Sequence, residues 1–249
     1  MKRISLTAFL IFFASLESFA QSQPYDDLTF VRLRYSMGDF AIGFYARYGG
    51  IESWQVDFPE AEEHFMRAVK HQTNISTSRN ATSFSITDKE LFNFAFAYVV
   101  EVGFMKLTAK EASTLREWLL RGGFLLIDDF HGPREWQNFY DEFSRVFPDH
   151  QIVDVKPTHP IFHCYYDFDE YPIVPGLASI YQGRMFEKGG REAHCKGIFD
   201  GNGRLMVLIN HNMDLGDSWE HANDYRYESK YSILGYKLGI NYLIYALTH

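Results

Sequence analysis

Two short and almost entirely apolar runs, with helix signals between them, constrain the fold of this chain most strongly. The runs are AFAYVV at 95–100 and FLLID at 124–128. Runs of this length and composition are typical of strands buried on both faces, as in a parallel sheet. Between them, Thr108 and Glu111 have the spacing of a capping box, and the pair Gly122-Gly123 can end a helix. The order strand, helix, strand predicts an α/β domain with a mainly parallel sheet.

The remaining pattern extends this alternation along the chain. A segment at 36–54, rich in glycine and aromatic residues, has no steady period, and we predict an irregular lid or binding loop there. The other predicted elements are strands at 28–35, 151–155, 179–186, 194–199 and 204–210, a hairpin turn at 200–203, and helices at 59–71, 133–147 and 228–247.

The N-terminus has the pattern of a secretory signal peptide. Lys2 and Arg3 precede an apolar run that is too short to span a bilayer, and Ser18-Phe19-Ala20 has the small-x-small form of a cleavage site. We therefore expect a signal peptide at 1–20, a polar leader at 21–27 and one α/β domain at 28–247. The expected location is periplasmic or secreted, with no membrane span after cleavage.

Composition excludes some partners and leaves the cysteine chemistry open. The chain has 24 Lys+Arg against 32 Asp+Glu and a formal charge of -8, which gives no electrostatic footprint for nucleic acid. Cys164 and Cys195 are the two cysteines. In an oxidising compartment they can form a disulfide, but two separately buried thiols fit equally well.

Four motifs, in this order, resemble those of a bacterial family, domain-of-unknown-function family 4159. The motifs are LREWLLRGGFLLIDD at 115–129, VFPD at 146–149, HPIFHCYY at 159–166 and NHNMDLGDSWE at 210–220. The resemblance covers about residues 28–247. It implies a three-layer flavodoxin-like fold of the class I glutamine-amidotransferase-like type, here with an added C-terminal hairpin region, and it implies no activity.

The nucleophile of that superfamily is missing from this sequence. Amidotransferases place a cysteine in a Gly-x-Cys-x-Gly turn after a central strand, whereas EVGFM at 101–105 follows the strand here. The sequence also contains no Gly-x-Ser-x-Gly turn. We therefore do not expect glutaminase or cysteine-protease chemistry, and we assign no catalytic residue.

Polar residues follow three of the predicted strands. Because ligands of open α/β sheets bind outside the carboxyl ends of the strands, we expect these residues to line one crevice. The ligand-binding candidates are Glu101, Asp128, Asp129, His131, Asn210, His211, Asp214 and Trp219. For Asp128 and Asp129, a cap or turn role at a strand-to-helix junction is an alternative.

Histidines supply a candidate metal site. His159 and His163 are spaced i, i+4, and with His211 they could bind a divalent metal. Pro160 disfavours a helix at His159, so hydrogen-bonded structural histidines are the alternative interpretation.

Three functional hypotheses fit these observations. The first is a cell-envelope domain that binds a small molecule or glycan, since carboxylates and amides beside aromatic rings suit sugars. The second is a metal-dependent hydrolase of the periplasm. The third is a protein-interaction module of a secreted complex.

Overall fold

A computed structural model describes residues 27–249, so the predicted signal peptide at 1–20 and nearly all of the polar leader at 21–27 lie outside the described residues. The strands are β1 Val31–Arg34, β2 Thr82–Ser85, β3 Phe96–Val100, β4 Phe124–Asp128, β5 Val153–Asp154, β6 His194–Phe199 and β7 Leu205–His211. The helices are α1 Asp39–Tyr45, α2 Glu60–Gln72, α3 Ala109–Leu120, α4 Gly132–Val146, α5 Leu177–Tyr181, α6 Leu215–Glu220 and α7 Ser229–Thr248.

The strands form one seven-stranded sheet in the order β2-β1-β3-β4-β7-β6-β5. Four pairs of neighbouring strands are parallel, namely β2 and β1, β1 and β3, β3 and β4, and β4 and β7. β6 is antiparallel to β7, and β5 is antiparallel to β6. This confirms the predicted α/β class with a mostly parallel sheet.

Alternate residues of the central strand β3 point to two separate hydrophobic clusters. Ala97 and Val99 belong to a cluster that includes apolar residues of α3 and α4. Phe96, Tyr98 and Val100 belong to a second cluster, with residues of α2 and α7. Because side chains alternate across a strand, the two clusters lie on opposite faces of the sheet. Burial on both faces explains why β3 is apolar throughout.

The predicted capping box at the start of α3 is confirmed. The Thr108 hydroxyl accepts a hydrogen bond from the Glu111 amide at 3.1 Å, and the Glu111 carboxylate accepts one from the Thr108 amide at 2.7 Å. Each side chain satisfies an amide that the helix leaves unpaired. The start of α3 is therefore fixed by local sequence.

Two segments differ from their predictions. The segment 36–54, predicted to be irregular, contains α1 and two 3-10 turns. The segment 179–186, predicted to be a strand, begins inside α5. The Asp217 carboxylate accepts a hydrogen bond from the Leu177 amide at 2.6 Å, which stabilises the first turn of α5. This contact comes from a distant part of the chain and leaves no local pattern.

Short edge strands were the other source of error. β2 was not predicted, since TSFS has only one large apolar residue. The strand predicted at 151–155 shortens to the two exposed residues of β5. Both strands lie at the ends of the sheet, where little burial is required.

Cys164 and Cys195 are both free thiols. Burial raises the pKa of each. None of the helices in residues 27–249 combines the length and the apolar character needed to span a bilayer.

Candidate functional site

The turns that follow β3, β4 and β7 meet at the carboxyl edge of the sheet. They carry Glu101, Asp129 and Asn212, whose φ angles are 52°, 49° and 62°. Backbone hydrogen bonds join the turns, from the Glu101 amide to the Asp129 carbonyl at 3.0 Å and from the Asp129 amide to the Met213 carbonyl at 3.2 Å. The three turns therefore form one connected rim, which we call the carboxyl rim.

Left-handed backbone conformations concentrate at this edge. Across residues 27–249, the non-glycine residues with positive φ are the three of the carboxyl rim together with Asp57 and Lys188. Asp57 and Lys188 are both electrostatic neighbours of rim acids. Non-glycine residues rarely adopt this conformation, and those that do cluster at ligand and catalytic sites. The residues with positive φ thus lie at the edge of the sheet where the crevice is predicted.

Three predicted residues form a compact group with the donor types of a metal site. One ligand atom from each of Asp129, His131 and Asp214 lies within 4.8 Å of the other two. The residues are 6%, 2% and 4% exposed. His131 Nε2 contacts Asp129 Oδ1 at 3.1 Å, whereas His131 Nδ1 is buried without a partner among the described residues. We call Asp129, His131 and Asp214 the first cation group.

Further carboxylates surround the first cation group. Asp57, Asp214 and Asp217 have ligand atoms within 4.8 Å of one another, and so do Asp217, Glu220 and His221. Asp214 caps α6 and accepts a hydrogen bond from the Asp217 amide at 2.8 Å. The cap therefore holds Asp214 and Asp217 on the same turn, facing Asp57.

Burial and mutual repulsion dominate the electrostatics of these acids. Burial, followed by the charges of Asp217 and Asp129, raises the pKa of Asp57 well above its usual value. Burial and the charges of Asp129 and Asp217 do the same for Asp214. Burial also acts to raise the pKa of Asp217, but hydrogen bonds with His221 and Asp214 outweigh it and lower the pKa. Such a group binds either protons or a cation.

The histidine of the first cation group responds to its acidic neighbour. Burial acts to lower the pKa of His131, but the hydrogen bond with Asp129 and the charge of Asp129 outweigh it and raise the pKa. The His131 amide donates to the Glu135 carboxylate at 2.7 Å, which fixes the backbone at the start of α4.

Asp128 and Asn210 are enclosed by the protein. Asp128 is fully buried and accepts hydrogen bonds from the Tyr98 hydroxyl at 2.9 Å, the Leu215 backbone amide at 2.6 Å and the Asn210 side-chain Nδ2 at 3.2 Å. Burial and the charge of Asp129 raise the pKa of Asp128 to about 7. Its contacts join β3, β4, β7 and α6. This arrangement matches a structural role for Asp128 behind the rim.

A short segment before β6 covers the carboxyl rim. Lys188 Nζ lies 3.3 Å from a Glu101 carboxylate oxygen and 2.9 Å from one of Glu135. A Cβ atom at Gly132 would overlap the Lys188 carbonyl, so the segment lies directly on the start of α4. The Asn212 side chain also donates to the Glu192 carbonyl at 2.7 Å. We call residues 187–192 the covering segment.

The three histidines predicted to bind metal do not come together. His159 packs against Phe199 and Tyr245. Since Phe199 pairs with Leu205 at the start of β7, this histidine lies at the amino edge of the sheet, roughly 20 Å from the carboxyl edge at 3.3 Å per residue.

His163 and His211 have separate surroundings. His163 pairs with Asp167 at 3.0 Å in a loop. His211 lies at the carboxyl edge, where its Nε2 contacts the Gly132 carbonyl at 3.1 Å and its ring packs on Phe130 and Trp136. Burial lowers the pKa of His211 to about 4. None of the three is in a potential metal group among residues 27–249.

Trp219 lies in the core and does not line the crevice. It is fully buried against Phe65, Tyr98 and Phe30, with ring-centroid distances of 4.4, 5.5 and 6.2 Å. A ring enclosed in this way has no face for a sugar.

Sequence reasoning missed Asp57, Asp217 and the covering residue Lys188. Asp217 had a detectable signal, because Asp214 and Asp217 have the i, i+3 spacing of an N-cap that brings two acids onto one turn. Asp57 and Lys188 had none, since tertiary packing brings them to the carboxyl rim.

Comparison with known proteins identifies a family. A family model described as Domain of unknown function (DUF4159) matches residues 30–247. No curated protein matches the sequence.

Proposed function

The chain belongs to the DUF4159 family, whose description names no activity, and we propose from the site alone that Asp129, His131 and Asp214 bind a divalent cation that activates water for hydrolysis. The main support is that potential ligand atoms of these three buried residues lie within 4.8 Å of one another. In addition, His131 Nδ1 has no hydrogen-bond partner among the described residues.

The chemistry of the first cation group supports this proposal. One imidazole and two carboxylates suit Zn²⁺ or Mn²⁺, and three protein ligands leave coordination positions for water. A bound Zn²⁺ would lower the pKa of its water to near 7, which would supply a hydroxide nucleophile without a cysteine or serine. The missing Gly-x-Cys-x-Gly turn is consistent with such a mechanism.

A titration with metal tests the proposal. The full chain is stripped with a chelator, loaded with Zn²⁺ or Mn²⁺, and studied by calorimetry and elemental analysis. We expect the wild type to bind the metal tightly, and we expect His131→Gln and Asp129→Asn to bind it much more weakly. His163→Gln is the matched control, because His163 pairs with Asp167 in a loop. Chelator-sensitive hydrolysis of p-nitrophenyl acetate or bis(p-nitrophenyl) phosphate is the second readout. Equal metal content in wild type and His131→Gln would refute the proposed site.

Ligand binding without hydrolysis is the second candidate function, and a cavity favours it. A cavity of about 610 Å³ beside the covering segment is lined by Trp136, Arg191, His194 and Lys196, and it reaches Gly132, the residue after His131. An aromatic ring beside hydrogen-bonding and cationic groups suits a sugar or an anionic small molecule. A thermal shift with peptidoglycan fragments in chelator-treated protein would favour this candidate over the hydrolase.

We further propose a flavodoxin-like, three-layer fold of the class I amidotransferase-like type with an added C-terminal hairpin region. The strand order β2-β1-β3-β4-β7 matches the flavodoxin order, and the antiparallel pair β6–β7 corresponds to the addition. Export to the periplasm or medium is also a proposal, which rests on the signal-peptide pattern at 1–20.

A further inference from the structure

The acidic groups at the carboxyl edge share one residue. Asp214 belongs to the first cation group and also to the set Asp57, Asp214 and Asp217, which we call the second cation group. In both groups the ligand atoms lie within 4.8 Å of one another. A carboxylate has two oxygens and can bridge two cations, which in hydrolytic centres lie about 3.5–4 Å apart.

An unpaired atom points into the second cation group. Asp57 Oδ2 is inaccessible to solvent and has no hydrogen-bond partner among the described residues. A Cβ atom added to Gly216 would overlap Asp57 Oδ2 and would lie 3.4 Å from Asp214 Oδ1. The two oxygens therefore converge over the same glycine. A buried carboxylate oxygen without a donor is an unsatisfied ligand for a cation.

A second glycine marks another convergence of carboxylates. A Cβ atom at Gly176 would lie 2.7 Å from Asp214 Oδ2, 2.7 Å from Glu187 Oε1 and 3.2 Å from Asp217 Oδ2. Each oxygen of Asp214 thus lies near one of these glycines together with an oxygen of another acid, Oδ1 with Asp57 at Gly216 and Oδ2 with Glu187 and Asp217 at Gly176.

The protein's own cations neutralise the second cation group only in part. The Arg32 guanidinium donates its hydrogen bonds to Glu62 at 2.5 Å and to the Trp54 and Val56 carbonyls, each at 2.8 Å, and acts on Asp57 only through its charge. His221 is shared between Asp217 at 3.3 Å and Glu220 at 3.2 Å. Protons or a bound cation can supply the remaining positive charge.

From this geometry we infer that the site is a two-cation centre in which Asp214 bridges one ion held by Asp129 and His131 and a second held by Asp57 and Asp217, and that its substrates are phosphate esters. The inference rests on the proposed first cation site and extends it. The all-carboxylate second group suits a hard cation such as Mn²⁺ or Mg²⁺.

Two cations favour phosphate esters because they can bind both the attacking and the leaving oxygen. A hydroxide on one ion attacks phosphorus and forms a new P–O bond, while the bond from phosphorus to the ester oxygen breaks. The leaving alkoxide takes up the proton that the water released and departs as the alcohol. No oxidant or further reactant is consumed.

Mn²⁺ titration of the chelator-treated full chain tests the inference. Calorimetry should give two ions per chain, and electron paramagnetic resonance should show a coupled Mn²⁺ pair. Asp57→Asn should bind one ion without coupling, and His131→Gln should also bind one. Asp57→Asn is a mild change, because asparagine tolerates the positive φ at this position. Asp141→Asn, at an exposed position on α4, is the matched control.

The outcomes separate the two proposals. One ion in the wild type and one in Asp57→Asn would overturn the second site and leave the first standing, whereas no ion in the wild type would overturn both. Hydrolysis of bis(p-nitrophenyl) phosphate should fall by more than about 100-fold in Asp57→Asn, because loss of a direct ligand should cost more than the 10- to 100-fold typical of outer-shell changes. No hydrolysis by the two-ion wild type would overturn the substrate class. Asp214→Ser is the second variant, and it should lose both ions with unchanged circular dichroism.

Discussion

The Tyr98 hydroxyl donates a hydrogen bond of 2.9 Å to the Asp128 carboxylate, between neighbouring strands and out of contact with solvent. The same carboxylate accepts from the Leu215 amide and the Asn210 side chain. Asp128 therefore joins the sheet to α6, which carries part of the candidate site.

We predict that Asp128→Asn destabilises the fold but leaves cation stoichiometry unchanged. The new NH₂ group would face one of three donors, which should lower the free energy of unfolding by about 2–4 kcal/mol. Urea unfolding followed by circular dichroism measures this change. Asp141→Asn, on the exposed face of α4, should shift it by less than about 0.5 kcal/mol. If Asp128→Asn is fully folded under the assay conditions but no longer binds metal, Asp128 is instead a metal ligand.

Lys188→Met should loosen the covering segment. The substitution leaves the largely buried carboxylates of Glu101 and Glu135 without their cationic partner, whereas the Lys188 side chain itself is 37% exposed. We expect the free energy of unfolding to fall by about 1–2 kcal/mol, which is less than for a fully buried ion pair. We also expect faster amide hydrogen exchange at residues 187–192. Exchange at those residues that equals the wild type would show that the ion pairs do not hold the segment. Lys110→Met, exposed on α3, is the control.

His211 should make the native state sensitive to acid. Burial lowers the pKa of His211 to about 4, below the usual 6.5, so the unfolded state binds this proton more readily. The neutral ring contributes full stability above pH 6.5, and that stability is lost as the pH falls from 6.5 to 4, by up to about 3 kcal/mol.

His211→Phe keeps a ring against Phe130 and Trp136 and removes the titration. Urea unfolding at pH 7 and pH 4.5 should therefore show a smaller acid loss in the variant than in the wild type. Equal losses in the two proteins, or a midpoint near 6.5 for His211 in an NMR titration, would contradict the lowered pKa.

Gly176→Ala should disturb the acids that converge on this position. The new Cβ atom would lie 2.7 Å from carboxylate oxygens of Asp214 and Glu187. We expect a cost of about 1–3 kcal/mol from overpacking and weaker cation binding by calorimetry. Gly201→Ala is the matched control, because nothing lies within 4 Å of its Cβ position. Similar binding curves for both variants would show that Gly176 is not part of the cation site.

Local signals explain which parts of the fold were predictable. Some features depend only on residues that are close together in the sequence. They are the capping box of Thr108 and Glu111, the double glycine after α3, and the apolar strands β3 and β4. The first turn of α5 depends on Asp217, 40 positions beyond Leu177. Contacts of that kind leave no periodicity in the sequence.

The candidate site was predictable to the extent that strand ends define it. Asp129, His131 and Asp214 lie just after β4 and β7, so the parallel sheet brings them together. The i, i+4 spacing of His159 and His163 was misleading, because His159 lies at the opposite edge. Asp57 precedes α2 and reaches the site only through packing of the whole domain.

The backbone hydrogen bonds of the carboxyl rim have a consequence for how the protein matures. Since the Glu101–Asp129 and Asp129–Met213 bonds close the rim through main-chain atoms, the backbone at Glu101 and Asp129 is held in place without an ion. If the proposed cation binds, the folded chain can take it up in a loading step after folding. Metal supply would then determine what fraction of the folded molecules carries the proposed cation.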